Sequence, residues 1–130
     1  MSTASAPPRA RAIVPYDVVV IIEAVHDMSR PAEVLASVRR VLRPGGVALI
    51  ADEKTADRFT APADETERAY YGFSVFTCLP AAMTDRPTAA IGTVIRESTM
   101  RRLGTDAGFT RVDRLDEPAL DMLRFYRMTP

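Results

Sequence analysis

Residues 17–22, Asp-Val-Val-Val-Ile-Ile, place five β-branched residues in succession with no polar residue between them. Such side chains are stiff and suit an extended backbone. A strand with one wet face alternates polar and apolar residues, so an unbroken run predicts an interior strand of a parallel sheet, covered on both faces. Pro31 suits the first turn of a helix after Ser29 or Arg30, and Val34, Leu35, Val38, Val41 and Leu42 recur at helical spacing as one apolar stripe. Arg39, Arg40 and Arg43 suit the negative end of that helix. Pro44-Gly45-Gly46 stops it, and Val47–Ala51 reads as a second buried strand. Strand, crossover helix and strand at this spacing make a βαβ unit, with its right-handed connection.

The remainder is read on the same grounds. Residues 1–15 are rich in Ala, Ser, Pro and Arg without periodicity and are expected to form a disordered tail. Residues 63–83 predict a helix with acids in its first turn and no charge from Ala69 to Met83. Tyr70, Phe73 and Thr77 fall on one side and Tyr71, Val75, Cys78 and Leu79 on another, so this helix needs cover on two faces. Cys78 has no basic neighbour and reads as packing. A second amphipathic helix spans 96–109, where Gly104 weakens it by about 1 kcal/mol relative to alanine. Segments 109–115 and 120–128 predict two strands, joined closely enough at 116–119 to require an antiparallel hairpin.

Seventeen basic and seventeen acidic residues cancel, which argues against nucleic acid or an anionic membrane as partner. One cysteine rules out an internal disulfide, and one cysteine with one histidine argues against a structural zinc site, so no metal is expected. The longest aliphatic run is too short to span a bilayer and the first residues lack a signal-like apolar segment, so the expected location is cytoplasmic.

Taken together, residues 16–28 (YDVVVIIEAVHDM), Val41–Gly46 (VLRPGG), the acid-ended strand at 51–53, Ala107-Gly108-Phe109 and the closing hairpin resemble the C-terminal half of a class I S-adenosylmethionine-dependent methyltransferase. Residues 67–83, 92–96 and 124–128 resemble, within that superfamily, the branch whose complete members carry an N-terminal winged-helix dimerisation domain. The resemblance implies an α/β fold: a Rossmann-like sheet in which residues 16–128 supply strands four to seven, two parallel strands plus a terminal antiparallel hairpin flanked by helices. It also implies that the first three strands are missing. In the family the first strand ends in a glycine-rich cofactor loop and an acid after the second binds the cofactor's ribose. The adjacent pair Gly45-Gly46 runs from helix to strand, the reverse of the context such a loop needs.

Ligands in open α/β sheets bind beyond the carboxyl ends of the parallel strands, here at 23–28 and 52–54. By resemblance, Glu23 and Ala24 line the cofactor, with Glu23 also a catalytic candidate at the reaction centre; Glu23 is otherwise a solvated carboxylate. His26, the one side chain with an unperturbed pKa near neutrality, is the candidate base, or else a structural hydrogen-bonding residue. Asp27 caps the following helix or contacts the acceptor. Asp52 and Glu53 face the acceptor side or water. Tyr70, Tyr71, Phe73 and Phe76 form either an aromatic wall for a flat acceptor or core.

The reading is a truncated or split methyltransferase acting on a small-molecule acceptor, with S-adenosylmethionine as cofactor by family and weak or absent cofactor binding by this chain alone. A complementing N-terminal half or a homodimer is the expected partner. The alternative is a non-catalytic remnant serving as an interaction or dimerisation module.

Overall fold

The computed structural model describes residues 15–116 and 121–130; the tail expected at 1–15 and the hairpin connection expected at 116–119 lie almost wholly outside them. Four strands form one sheet in the order β1-β2-β4-β3: β1 (Tyr16–Ile22), β2 (Leu42–Glu53), β3 (Arg111–Leu115) and β4 (Leu123–Thr129). β1 and β2 are parallel, and β4 lies antiparallel between β2 and β3. The terminal pair is antiparallel as predicted, yet β3 runs in the direction of β1 and β2, because β4 alone is reversed. This is an α/β architecture with the parallel pair and antiparallel hairpin that the resemblance implied.

β1 connects to β2 through a single 3-10 turn (Val25–Asp27) and α1 (Pro31–Val41), with Pro31 in the first turn. β2 begins earlier than predicted, because Leu42 already pairs with Tyr16. The register then jumps to Val18↔Val47, so Arg43–Gly46 bulge out of the ladder. Gly45 adopts φ +81°, and a Cβ on Gly46 would lie 2.9 Å from the Tyr16 carbonyl oxygen. The two glycines thus serve a bulge in which backbone meets backbone, not a ligand.

The predicted helix at 63–83 is split into α2 (Glu65–Phe73), a π-helical turn (Ser74–Cys78) and α3 (Leu79–Ala82). Asp64 caps it by accepting from the Glu67 amide at 2.8 Å. α4 (Glu97–Asp106) precedes β3. Its Gly104 has a packing role: a Cβ there would lie 2.6 Å from Val112 and 3.2 Å from the Met128 sulfur. The core gathers Leu35 and Val38 of α1, Met100 and Leu103 of α4, and Ala48, Ile50, Val112, Tyr126 and Met128 of the sheet.

The cover on both faces expected for the first strand is not observed. β1 is an edge of the described sheet; Val19 and Ile21 pack on the core, while Val18, Val20 and Ile22 on the opposite face stay about half exposed. The physical reason is coverage: both core-packing helices, α1 and α4, lie on one face. No described helix is long and apolar enough to cross a membrane.

Candidate active site

Parallel pairing of Ile22 with Ala51 brings the ends of β1 and β2 side by side, so 23–27 and 52–53 emerge together. Glu23 sits at φ 48° and donates its amide to the Ala51 carbonyl at 2.9 Å. A left-handed glutamate is uncommon, and strained backbone of this kind concentrates at functional sites. The turn that follows buries His26 while leaving Asp27 partly exposed.

His26 Nδ1 lies 2.6 Å from Asp52 Oδ1 and 3.0 Å from Glu53 Oε2, and its Nε2 lies 3.3 Å from Asp27 Oδ1. Burial by itself would push the imidazole down. Hydrogen bonds and charge from Asp52 and Glu53 outweigh it, raising the His26 pKa to about 11. Burial pushes Asp52 up to about 7 against the pull of His26. Glu53 is held down at about 2: its own burial is overcome by hydrogen bonds to His26 and Asp52. Asp52 fixes one ring nitrogen and so leaves Nε2 as the atom presented to the cleft.

That cleft has a volume of about 710 Å³, and its wall includes Glu23, His26, Asp27, Glu53, Tyr70 and Phe73. The size and apolar lining suit a small organic molecule. Tyr70 turns its ring to the cleft and donates its hydroxyl to the Met122 carbonyl at 3.2 Å; burial, with Glu53 and Glu23 nearby, raises its pKa.

Other sequence-based candidates lie elsewhere. Tyr71 accepts from Arg96 at 3.1 Å and meets Phe59 edge-on, and Phe76 points into solvent at 85% exposure, so neither lines the cleft. Asp52 stands behind His26. Asp27 makes no cap for α1, whose cap position is taken by Arg30 without a side-chain hydrogen bond. Ala24 is half-buried at the start of the 3-10 turn and is not part of the cleft wall.

Wall residues not anticipated as site residues include the following three. Thr93 is 2% exposed, and its hydroxyl has no hydrogen-bond partner among the described residues. Cys78 faces the cleft and not the core. Met122 enters from the turn before β4. A polar residue beside Gly92 was the available signal for Thr93; the other two depend on tertiary placement.

A family model described as a methyltransferase domain matches residues 14–50, the stretch holding β1, α1, the bulge and most of β2. Solved structures match over nearly the whole chain. An O-methyltransferase family protein from Burkholderia thailandensis superposes with a TM-score of 0.60 at 18% identity, covering 88% of this chain and 30% of its own. The mitomycin 7-O-methyltransferase MmcR gives 0.59 at 19% identity, covering 87% and 29%. CalO1, a methyltransferase of calicheamicin biosynthesis solved with SAH bound, gives 0.58 at 19%, covering 88% and 30%. This chain carries the class I methyltransferase fold. It spans about 30% of the length of the methyltransferases it superposes on. No curated protein matches it significantly. The strand order β1-β2-β4-β3, with β4 alone reversed, fits the parallel pair plus antiparallel hairpin that the resemblance implied.

Proposed function

We propose that this chain forms the acceptor side of an S-adenosylmethionine-dependent O-methyltransferase and that His26 takes the proton from the acceptor's hydroxyl. The observation that carries the reading is the His26–Asp52 pair, 2.6 Å apart, at the joined ends of two parallel strands and facing an aromatic-lined cleft. The structural relatives, several of them O-methyltransferases, support the same chemistry.

The donor, when bound, supplies an electrophilic methyl group on a sulfonium. Glu23 would lie along its methyl end. The described residues hold neither a glycine-rich strand-to-helix turn nor an acid placed for a ribose, so they fit one side of the donor only. Tyr70 and Phe73 would flank a flat acceptor and exclude water. A base must be neutral to accept a proton, and the carboxylates around His26 hold it as imidazolium. A positive charge and an apolar acceptor brought against the ring both favour its neutral form, since like charge and burial disfavour the cation. Nε2 then takes the hydroxyl proton while Nδ1–H remains on Asp52.

The test is transfer of labelled methyl groups to a panel of small phenols, with the chain alone and with a polypeptide carrying a strand and glycine-rich turn. His26→Gln should lower turnover roughly 10²–10⁴-fold with acceptor binding retained. Unchanged turnover would remove His26 from the mechanism. The half-exposed row Val18, Val20 and Ile22 favours a second reading, an interaction module without catalysis. No transfer under any pairing, with self-association preserved, would select it.

A further inference from the structure

The cleft brings together three side chains of different chemistry: the imidazole of His26, the carboxylate of Asp27 and the thiol of Cys78. Their ligand atoms all lie within 4.8 Å of one another. Composition argued against zinc because one histidine and one cysteine cannot build a closed four-ligand site. An open site needs only three protein ligands, and a carboxylate serves as the third.

The spacing fits. Zinc binds histidine nitrogen and carboxylate oxygen at about 2.0–2.2 Å and thiolate sulfur at about 2.3 Å, so neighbouring ligands on a tetrahedral ion lie about 3.3–3.6 Å apart. His26 Nε2 and Asp27 Oδ1 are already 3.3 Å apart. The Cys78 sulfur lies within 4.8 Å of both of these atoms, and Asp27 has room to adjust at 43% side-chain exposure.

The surroundings fit as well. Metal-binding histidines almost always direct their other nitrogen to a carboxylate, which fixes the ring. Here Nδ1 is held by Asp52 at 2.6 Å, and Nε2 is the nitrogen left to bind. Cys78 reaches the cleft because it closes the π-helical turn Ser74–Cys78, and such turns are frequent at functional sites. Ser74, at the other end of that turn, accepts the Thr93 amide at 3.2 Å. The Thr93 hydroxyl is buried in the same cleft wall with no partner among the described residues, a polar group that awaits a ligand or its water.

We propose that His26, Asp27 and Cys78 form a binding site for one thiophilic divalent cation, Zn²⁺ by size and ligand set, with its fourth position open to the cleft. On binding, the ion displaces the Nε2 proton of His26 and the thiol proton of Cys78 to solvent, and so takes the atom that the proposed methyl transfer needs free. Metal and acceptor deprotonation by His26 therefore exclude each other, and Zn²⁺ inhibits the enzyme. That consequence rests on the methyltransferase reading; the site itself does not.

Binding is measured on the chain alone, with neither donor nor acceptor. Isothermal titration with Zn²⁺ should give one site, and Co²⁺ should give tetrahedral d–d absorption with a thiolate-to-metal charge-transfer band. Cys78→Ala should abolish that band and weaken Zn²⁺ at least about tenfold, as should Asp27→Asn. Both positions are partly exposed, and circular dichroism verifies that the variants fold. Asp52→Asn, changing only the group behind the ring, should weaken binding about 10–100-fold. Absence of Zn²⁺ binding, or binding unchanged in Cys78→Ala, overturns the site. Zn²⁺ binding without any effect on methyl transfer leaves the site standing and overturns the role of Nε2 in catalysis.

Discussion

At the scale of single residues, the cluster of His26, Asp52 and Glu53 makes stability depend on pH in a way that can be worked out by sign. His26 holds its proton more tightly in the folded chain, from 6.5 to about 11, so its contribution is complete below pH 6.5 and is lost as pH rises through 11. Asp52, raised from 3.8 to about 7, contributes below 3.8 and loses that contribution by about pH 7. Glu53, lowered from 4.5 to about 2, contributes above 4.5 and loses that as pH falls through 2. Between pH 7 and roughly 9.5, below the range in which buried phenols begin to ionise, His26 is therefore the one member of the three still being titrated against stability. With a chelator present, the melting temperature should fall across this window, and His26→Gln should flatten the fall. An equal slope in both proteins would show that the carboxylates do not hold the imidazolium. Proximity of His26 to Asp52 could be anticipated only in part: they are 26 residues apart, and placing them together requires setting two strand ends in register. The strength of the pairing depends on burial, which no local pattern reports.

At the scale of elements, periodicity served well where a segment follows one regular helix or strand. β1, α1 and β2 appear near their expected places because an unbroken β-branched run, a helical stripe and a glycine pair each have one economical reading. Periodicity failed in the helix at 65–82, since the π turn inserts a residue and rotates the side chains beyond it by about 100°. Cys78, read as packing, thereby reaches the cleft, while Phe76 is turned to solvent. Arg96 likewise escaped notice: it joins the buried Glu67 at 2.7 Å across 29 residues and also donates to the Tyr71 hydroxyl at 3.1 Å. Gly104 shows local propensity yielding to packing. Alanine there gains about 1 kcal/mol of helix propensity, but its methyl group would lie 2.6 Å from Val112, and overpacking costs about 1–3 kcal/mol. Gly104→Ala should therefore lower the denaturant midpoint. A midpoint raised by the full propensity gain would mean that α4 can withdraw from β3 and β4 without penalty.

At the scale of the whole molecule, the sheet ends on β1, whose outer face carries Tyr16, Val18, Val20 and Ile22, each 50–55% exposed. An apolar edge strand of seven residues is a template for pairing with another chain. The 130-residue chain should self-associate as its concentration rises, and Val20→Lys should suppress this by light scattering while changing stability by no more than about 0.5 kcal/mol. The same edge bears on donor binding. In an open α/β sheet the cofactor rests across strand ends, where backbone amides approach it at a glycine-rich turn. In this chain the adjacent glycines occupy the Arg43–Gly46 bulge, between a helix and a strand, where the Tyr16 and Asp17 carbonyls crowd Gly46. On the proposed reading, what remains is Glu23 at one strand end, beside the donor's methyl group. Each 1.4 kcal/mol of lost interaction weakens binding about tenfold, so losing the backbone cradle and a ribose acid should move even a micromolar affinity to about the millimolar range. Calorimetric titration of the 130-residue chain with S-adenosylmethionine and with its demethylated product should show no saturation at micromolar concentrations. Adding a polypeptide that supplies a strand for the β1 edge and a glycine-rich turn should restore binding and suppress self-association together, because one surface serves both. Restored binding with self-association undiminished would place the donor's main contacts away from β1, and tight one-to-one binding by the chain alone would mean that the strand ends at 23–28 and 52–54 hold the donor without a cradle.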